Sequence, residues 1–214
     1  PKVDEKRFPF LVRSEMMSAL HLTPDYIMDY IALDEVERNG NFMYRVLGVA
    51  VTEGAIKSYI NAFKKAKLKI NIIDSATNAV IKMMNYSNII ATSHQIVVAE
   101  INEGNLRLYL FDDGDYILTR NSRLRVKSNE DKEAFLTEVS DSISKMLQFS
   151  YTRNTKGISN IIYFGDDKIL DEIRDYVFES LGLEGERFSH AVTDLGWPHF
   201  KDNYTNAIGV LLRK

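Results

Sequence analysis

Hydrophobic and polar positions alternate with two different periods near the start of the chain. Apolar residues around Phe8-Pro9-Phe10 have helical spacing, with Pro9 in the first turn, where its missing N–H costs little. Two β-rich segments, residues 26–36 and 42–51, flank Arg38-Asn39-Gly40-Asn41. Asn-Gly between such segments is typical of a tight hairpin turn, because both residues tolerate positive φ. The pattern therefore predicts a helix followed by a β-hairpin.

Helical and strand patterns continue in shorter segments after the hairpin. Apolar spacing predicts a helix after Thr52 through Ile56, Tyr59, Ile60 and Phe63. A short strand is predicted over residues 70–73, and Asp74 or Ser75 can cap another helix whose buried stripe is Ala76, Ala79, Val80, Met83 and Met84. The first lobe, residues 1–84, therefore has the predicted order αββαβα. Residues 85–93 are small and polar without a period, which is typical of a connecting segment.

The second predicted lobe, residues 94–214, begins with three strand patterns close together. Residues 95–101, 106–111 and 116–120 are separated by two turn-rich tetrapeptides, which predicts an antiparallel meander. A helix follows over about residues 129–150, with an apolar face formed by Phe135, Leu136, Val139, Ile143, Met146 and Leu147. The apolar run 160–164 is typical of a strand that is covered on both faces.

The remaining predicted elements complete an order of helices and strands that indicates the fold class. An amphipathic helix ends at Gly182, residues 187–192 predict a final strand, and residues 204–212 predict a last helix whose inner face is Ala207, Ile208 and Leu211. A meander followed by alternating helices and strands is the order of the ribonuclease H-like fold. We therefore expect an α/β protein with a mixed sheet and helices on both faces, together with the smaller αββαβα lobe.

The composition narrows the classes of function. The chain has 214 residues, 45% hydrophobic and 11% aromatic, and is expected to fold around real cores. Its formal net charge of −3 disfavours sequence-independent binding of nucleic acid. It has no cysteine, which excludes disulfides and thiolate chemistry and favours a reducing compartment such as the cytosol. No apolar run approaches the roughly 18 residues of a membrane span, so direct membrane insertion is not expected.

The usual sequence signatures of enzymes are absent. The chain has no phosphate-binding loop and no dinucleotide, nucleophile-elbow or zinc-protease motif. Neither a metal nor a cofactor is expected, since the four histidines lack ligand spacing: His21, His94, His190 and His199. The lysines between residues 64 and 69 fit a solvated helix end better than a phosphate site. Trp197 lies in a short loop, where it either anchors a partner or covers the edge of the core.

Two carboxylates are the best candidates for catalytic chemistry. Glu100 is on the first strand of the predicted sheet and Asp166 is just beyond the fourth, and such positions are close together in a ribonuclease H-like sheet. Paired carboxylates hold Mg²⁺ in two-metal nucleases, and Glu133 or Glu138 is the candidate for a third. The acidic balance of the chain argues against an anionic polymer as substrate. A metal nuclease is therefore a distant alternative.

Five stretches of sequence occur in an order that is characteristic of one family. They are Arg45-Val-Leu-Gly-Val-Ala-Val51, Lys67-Leu-Lys-Ile-Asn-Ile-Ile-Asp74, Gln95-Ile-Val-Val-Ala-Glu-Ile-Asn102, Leu108-Tyr-Leu-Phe-Asp-Asp-Gly114 and Tyr204-Thr-Asn-Ala-Ile-Gly-Val-Leu-Leu-Arg213. They resemble the PilM family, the actin-like proteins of type IV pilus assembly, whose scaffold is shared by FtsA and by the cytoplasmic region of GspL. The resemblance covers residues 8–213 and implies an actin-like fold.

The resemblance implies where a nucleotide would bind and how this chain differs. ATP-binding members of the superfamily have two D-x-G turns, in which Gly lets backbone N–H groups approach the phosphates and Asp organises Mg²⁺. The first turn is absent, and because the chain begins with Pro1, we expect that upstream sequence is missing. The second turn is replaced by Glu100-Ile101-Asn102 with Gly104, and the double glycine on the adenosine side by Gly165-Asp166. We expect this pocket remnant neither to bind nor to hydrolyse ATP.

The resemblance implies a protein partner. PilM-like proteins sit on the cytoplasmic face of the inner membrane and bind the cytoplasmic tail of the bitopic protein PilN, beside the subdomain that residues 8–68 resemble. By this analogy an extended tail docks on the hairpin at Tyr44, Val46 and Gly48, and other pilus platform or motor proteins are further candidate partners. The leading hypothesis is a non-enzymatic scaffold of a pilus or related secretion system, cytoplasmic and bound to the membrane through its partner. An actin-like ATPase of the same machinery is the alternative.

Overall fold

The structure, a computed structural model, describes residues 4, 6–92, 95–102, 104–153, 157–166 and 168–212. The chain divides into two units, Pro1–Ile73 and Asp74–Lys214. Each unit has its own helices and its own sheet. Within the described ranges, no helix combines the length and the apolar character that crossing a bilayer requires.

The first unit is built on a long β-hairpin. Strand β1 (Tyr26–Arg38) pairs antiparallel with β2 (Asn41–Thr52), and helices α1 (Phe8–Leu20) and α2 (Glu53–Lys65) precede and follow them in the chain. The Asn39-Gly40 turn has φ values of 53° and 76°, so the predicted hairpin is confirmed. Among the described residues β1 and β2 pair only with each other, and each strand therefore keeps one open edge.

The strand predicted over residues 70–73 does not form. Residues 68–75 have no regular secondary structure. A strand needs a neighbour for its N–H and C=O groups, and within the described ranges neither strand of this unit pairs with the segment. Ile72 and Ile73 remain 47% and 52% exposed. The order of the first unit is therefore αββα.

The second unit contains a five-stranded mixed sheet. Its strands are β3 (Gln95–Asn102), β4 (Asn105–Asp112), β5 (Asp115–Arg123), β6 (Asn160–Gly165) and β7 (Gly185–Arg187). Their order across the sheet is β5-β4-β3-β6-β7, with the first three antiparallel as predicted. β6 is parallel to β3, and β7 is parallel to β6. The predicted α/β class with a meander and a mixed sheet is confirmed.

In the described part of this unit, five α-helices accompany the sheet: α3 (Ala76–Ser87), α4 (Lys132–Arg153), α5 (Leu170–Leu181), α6 (Phe188–Ala191) and α7 (Thr205–Leu211). Helices α4 and α5 cover one face of the sheet. Alternate strand residues enter this core, because successive side chains of a strand point to opposite faces. The core includes the face predicted for α4 and alternate residues of the central strands: Val97, Ala99, Ile101, Leu106, Leu108, Leu110, Phe135, Val139, Ile143 and Met146.

Helix α3 belongs to the second unit, so the boundary predicted at residues 85–93 is wrong. The stripe predicted for α3 is largely buried, and this helix packs against α7. The two helices are so close that a Cβ at Gly209 would clash with the backbone oxygen of Ala79. Because α3 and α7 share a core, the division falls before α3 rather than after it.

The last helix forms as the sequence predicts, but it turns a different face inward. Ala207 and Leu211 are exposed and Ile208 is half-buried, whereas Thr205 and Gly209 are buried. The close approach of α3 at Gly209 selects this face, since a larger residue there would separate the two helices. The inner face predicted for this helix is therefore wrong.

The strand predicted over residues 187–192 is replaced by the short strand β7 and helix α6. Asp202 is fully buried and accepts hydrogen bonds from the backbone N–H of Ser189 (2.7 Å) and from Arg187 Nε (2.9 Å). These bonds hold a turn directly after β7, and they bury Phe188 at the start of α6. The chain therefore leaves the sheet after Arg187.

An ion pair ties the start of the second unit to its last helix. Lys82 Nζ lies 2.8 Å from Asp74 Oδ2 and donates a hydrogen bond to the backbone oxygen of Leu212 at 3.1 Å. Burial alone would raise the pKa of Asp74, but the hydrogen bonds from Lys82 and Asn78 outweigh burial and lower it. With a lowered folded-state pKa, the pair stabilises the fold above the ordinary carboxyl pKa of about 3.9 and loses this contribution as pH falls through the folded pKa.

Lys82→Met should lower the free energy of unfolding by about 1–3 kcal/mol at neutral pH, because it leaves the mostly buried Asp74 carboxylate without its cation. In urea unfolding, the difference in free energy of unfolding between this variant and wild type should become smaller when the pH is lowered from about 7 to about 3. Lys132→Met, which breaks the exposed pair with Glu172, should change stability by less than about 1 kcal/mol. An equal Lys82→Met effect at both pH values would contradict this linkage.

Candidate functional site

An apolar groove lies between α1 and β2 in the first unit. Its volume is about 480 Å³. Glu15 is the only charged side chain among the described residues that line it. Such a lining suits apolar side chains of a ligand. The groove is formed by Phe8, Leu11, Val12, Glu15, Met16, Ala19, Leu20, Met43, Tyr44, Val46 and Gly48.

The three residues predicted to contact a partner all line this groove. Tyr44, Val46 and Gly48 occupy alternate positions of β2 and therefore lie on one face of the hairpin. A Cβ at Gly48 would lie 2.7 Å from Met16 Sδ, so the helix side chain rests directly on the strand backbone. The sequence predicts α1 as a helix, but it does not identify this helix as the opposite wall.

Aromatic contacts hold α1 against the hairpin. The ring of Phe8 packs edge-on against Tyr30 and Tyr44, with centroid separations of 5.5 and 5.0 Å. Pro9 lies in the first turn of the helix, as the sequence predicts. His21 ends the helix in the left-handed conformation, with φ of 52°. The helix is thus fixed at its amino end, where the groove begins.

A second, smaller cavity lies at the carboxyl ends of β3 and β6. Its volume is about 220 Å³. Three residues of the predicted pocket remnant, Asn102, Gly104 and Asp166, line it, and Glu100 and Gly165 do not. Its other lining residues are Ile101, Lys127, Ser128, Asn129, Phe135, Lys168 and Ile169.

Glu100 is buried in a hydrogen-bond network on the sheet face that carries Tyr109. Its Oε1 accepts from the side-chain amides of Asn102 (2.9 Å) and Asn206 (2.8 Å). Its Oε2 accepts from the Tyr109 hydroxyl (2.7 Å) and from Arg107 Nη1 (3.1 Å). The carboxylate therefore joins β3 and β4 to α7, and protein donors occupy both of its oxygens.

The Glu100 carboxylate also keeps its neighbours protonated. Burial alone would lower the pKa of Arg107, but the charge of Glu100 and its hydrogen bond outweigh burial and raise it. For Tyr109, burial and the Glu100 charge act in the same direction, and both raise the pKa. The two side chains are therefore permanent donors at neutral pH. This cluster is suited to holding strands and helix together rather than to transferring a proton.

Sequence reasoning missed the partners of Glu100, although the strand register contained a signal for one of them. The β3–β4 turn sets Asn102 opposite Asn105, and the same register sets Glu100 opposite Arg107. An acid opposite a base on neighbouring strands is a stabilising pair. The contact with Asn206 could not be derived in this way, because that residue is about a hundred positions further along the chain.

The close pairing of β3 with β6 explains the glycine at position 165 and the backbone contact of Asp166. A Cβ at Gly165 would clash with the backbone oxygen of Ile101, and φ at this position is 125°. The backbone N–H of Asp166 donates to the same oxygen at 2.8 Å, and Asp166 Oδ1 accepts from the N–H of Lys168 at 3.2 Å. The pairing of β3 with β6 therefore requires glycine at position 165, independently of any ligand.

Glu133 and Glu138, the two candidates for the third carboxylate of a metal nuclease, have different surroundings. Within the described ranges, no group of three histidine or acidic side chains is placed to hold a metal ion. Glu138 accepts a hydrogen bond from the backbone N–H of Arg125 at 2.9 Å, and Glu133 is exposed. His94, one of the scattered histidines, lies outside the described residues.

Trp197 packs within a stack of aromatic rings. Its ring lies between those of Tyr86 and Phe200, with centroid separations of 5.5 and 5.7 Å and an interplanar angle of 16° in each pair. Phe200 packs edge-on against the buried ring of Phe188 at 5.3 Å. Of its two interpretations, covering the edge of the core is the one that these contacts support.

No protein-family model matches the sequence, and no curated protein matches it. Solved structures do share its fold. A Bacteroides thetaiotaomicron protein with an actin-like ATPase fold and unknown function is similar, with a TM-score of 0.52 and 9% identity over 99% of this chain and 67% of that chain. The fold of this chain is therefore actin-like.

A second structure has a stronger likeness. The PilM-PilN type IV pilus biogenesis complex is similar with a TM-score of 0.77 and 15% identity, over 98% of this chain and 73% of that chain. At 15% identity this likeness concerns the fold, and it covers nearly the whole of this chain.

Proposed function

We propose that this protein is a non-enzymatic scaffold of a type IV pilus or related secretion assembly, and that it binds the extended cytoplasmic tail of a PilN-like bitopic membrane protein. The observation that carries the proposal is the apolar groove between α1 and β2, which Tyr44, Val46 and Gly48 line together. The likeness to the PilM-PilN complex supports a partner of this kind.

The open edge of β2 supports an extended conformation of the tail. β2 has 12 residues without a bulge or proline, and Arg45 is its one charged residue. Its neighbour β1 has a bulge between Ala32 and Asp34 and five charged residues. Bulges and charges protect an edge against strand addition, and β2 has almost no such protection. A tail can therefore pair with β2 through its backbone and insert alternate apolar side chains into the groove.

Two features of the second unit argue against nucleotide binding. The volume of the second cavity, about 220 Å³, is below the range of about 300–1,000 Å³ typical of small-molecule sites. Glu100, at the position where the superfamily has an Mg²⁺-organising Asp, is buried and held by Arg107 and Tyr109.

Calorimetric titration with Mg-ATP should give no tight binding, and an assay for released phosphate should give no turnover above buffer. The expected cause is the small cavity and the replacement of the Mg²⁺-organising Asp by Glu100, which Arg107 and Tyr109 hold. A dissociation constant in the low micromolar range, or a thermal shift equivalent to the roughly 2.7 kcal/mol expected at about 100-fold excess over that constant, would favour the actin-like ATPase instead.

A direct test of the proposal is fluorescence anisotropy with a labelled peptide of the cytoplasmic tail of a PilN-like protein. Saturable binding is expected, with affinity that changes little at moderate salt, because backbone and apolar contacts are screened less than surface ion pairs. A scrambled peptide of the same composition is the matched control. Equal binding of the tail and its scrambled form would contradict specific recognition.

A further inference from the structure

Helix α2 carries an apolar stripe that is exposed. Ile56, Tyr59, Ile60 and Phe63 are spaced so that they lie on one face of the helix. None of the 13 residues of α2 is buried. Tyr59, Ile60 and Phe63 are 67%, 42% and 43% exposed, and Ile56 is half-buried. A contiguous exposed stripe of this kind is typical of a surface on which another molecule packs.

The length of α2 also favours a covering surface. A helix of 13 residues is only marginally stable by itself in water, because most of the stability of a helix in a protein comes from packing of its apolar face. The start of α2 is held by the backbone N–H of Glu53, which donates to the oxygen of Asp25 at 2.9 Å. Burying the apolar stripe further along the helix would therefore stabilise α2.

A second copy of α2 fits this stripe when the two helices lie antiparallel. With the two-fold axis between Tyr59 and Ile60, Tyr59 of one copy faces Ile60 of the other, and Ile56 faces Phe63. Each residue of the stripe then has an apolar partner, and both copies use the same surface. The negative pole of each helix also lies beside the positive pole of the other.

The charges of α2 are arranged for this antiparallel pair. Glu53 is in the first turn and Lys64 in the last, and at 3.6 residues per turn they lie on the same side of the stripe, about 20° apart. Glu53 of each copy therefore faces Lys64 of the other. Glu53 also pairs with Lys57 of its own helix at 2.9 Å, and both of these side chains are exposed. Lys64 is exposed and forms no ion pair in the part of the chain that the structure describes.

We infer that the exposed face of α2 is a self-association surface, on which a second copy of this protein docks through an antiparallel pair of helices. Charge complementarity favours a second copy over an anionic lipid surface, because lipid headgroups repel Glu53, whereas Lys64 of a second copy attracts it. None of the described residues of α2 lines the groove between α1 and β2, so this surface does not depend on the proposed function.

Sedimentation velocity of the 214-residue protein tests this surface. Wild type should change from monomer to dimer between about 1 and about 200 μM, since one pair of helices about 20 Å long forms a small interface. Tyr59→Glu should weaken the dimer by about tenfold or more, because it brings two carboxylates to the two-fold axis. Asn61→Glu is the matched control: it adds the same charge to the opposite face of α2, and the dimer should remain within about threefold of wild type. Both residues are exposed, so the melting temperature of the dilute monomer should not change.

A charge exchange between Glu53 and Lys64 tests the antiparallel arrangement. Glu53→Lys or Lys64→Glu alone should weaken the dimer by about fivefold or more, because each sets like charges together. An equimolar mixture of the two variants should recover the affinity of wild type, because both contacts of the mixed pair are again between opposite charges.

Three sedimentation results would overturn the inference: wild type that stays monomeric at about 200 μM, a Tyr59→Glu dimer as tight as wild type, or a mixture no tighter than its two components. Flotation with phosphatidylglycerol vesicles covers the other occupant of the stripe. If wild type floated with these vesicles and Tyr59→Glu did not, the stripe would bind lipid, and the inference would also be overturned.

Discussion

Val46→Lys should weaken binding of the PilN-like tail by about 100-fold or more. Val46 is half-buried in the wall of the groove, and the substitution places an ammonium group where the proposed binding mode inserts apolar side chains of the tail. Burying an unpaired charge costs several kcal/mol, and each 1.4 kcal/mol corresponds to about a tenfold change in affinity. The measurement is the anisotropy titration with the labelled tail.

Val49→Lys provides the control for this variant. Val49 lies three positions further along β2, so its side chain points to the other face of the hairpin, and it is 42% exposed. The same charge is added to the same strand, yet tail affinity should remain within about threefold of wild type. If the two variants lost affinity equally, the groove would not be the binding surface.

Val139→Asp should unfold the second unit. Val139 lies on α4 and has no exposed surface. It packs in the core between this helix and the sheet. An unpaired buried carboxylate costs several kcal/mol, against a total stability of about 5–15 kcal/mol for a typical domain. Circular dichroism should show loss of the cooperative thermal transition of this unit.

Lys145→Asp, an exposed position on the same helix, is the matched control and should leave the melting temperature within a few degrees of wild type. It separates the effect of burial from the effect of an added acid in α4. A folded Val139→Asp variant with an unchanged melting temperature would contradict the burial of this helix face.

Local signals in the sequence predict much of the fold. The Asn39-Gly40 turn, the tetrapeptide turns of the meander and the apolar stripe of α4 each depend on residues that are close together in the chain. Their geometry is decided by backbone preferences and by one buried face, and the sequence contains both. These elements therefore form where the patterns predict them.

The errors concern features that distant contacts decide. The apolar residues 70–73 fit a strand locally, but no neighbouring strand is available to them. Helix α3 precedes the small polar residues that suggest a boundary, yet it belongs to the second unit because α7, more than a hundred residues later, packs on it. No local pattern contains this information.

The candidate sites were predictable to different extents. The alternation along β2 places Tyr44, Val46 and Gly48 on one face, and the structure finds all three in one groove. The residues of the pocket remnant have different surroundings. Asn102 and Asp166 line one cavity, whereas Glu100 does not line it and lies in a buried hydrogen-bond network. The sequence identifies Glu100 as unusual, but its role depends on Asn206, which only the folded chain brings close.

Liposome flotation tests most directly whether the tail, bound in the groove, brings this protein to the membrane. Neutral vesicles that display the anchored PilN-like tail should carry the wild-type protein to the top of the gradient. Val46→Lys should stay at the bottom, and Val49→Lys should float as wild type does. Bare anionic vesicles should carry none of them, since the chain has a net negative charge. Flotation with bare anionic vesicles, or none with tail-bearing vesicles, would contradict recruitment through the groove.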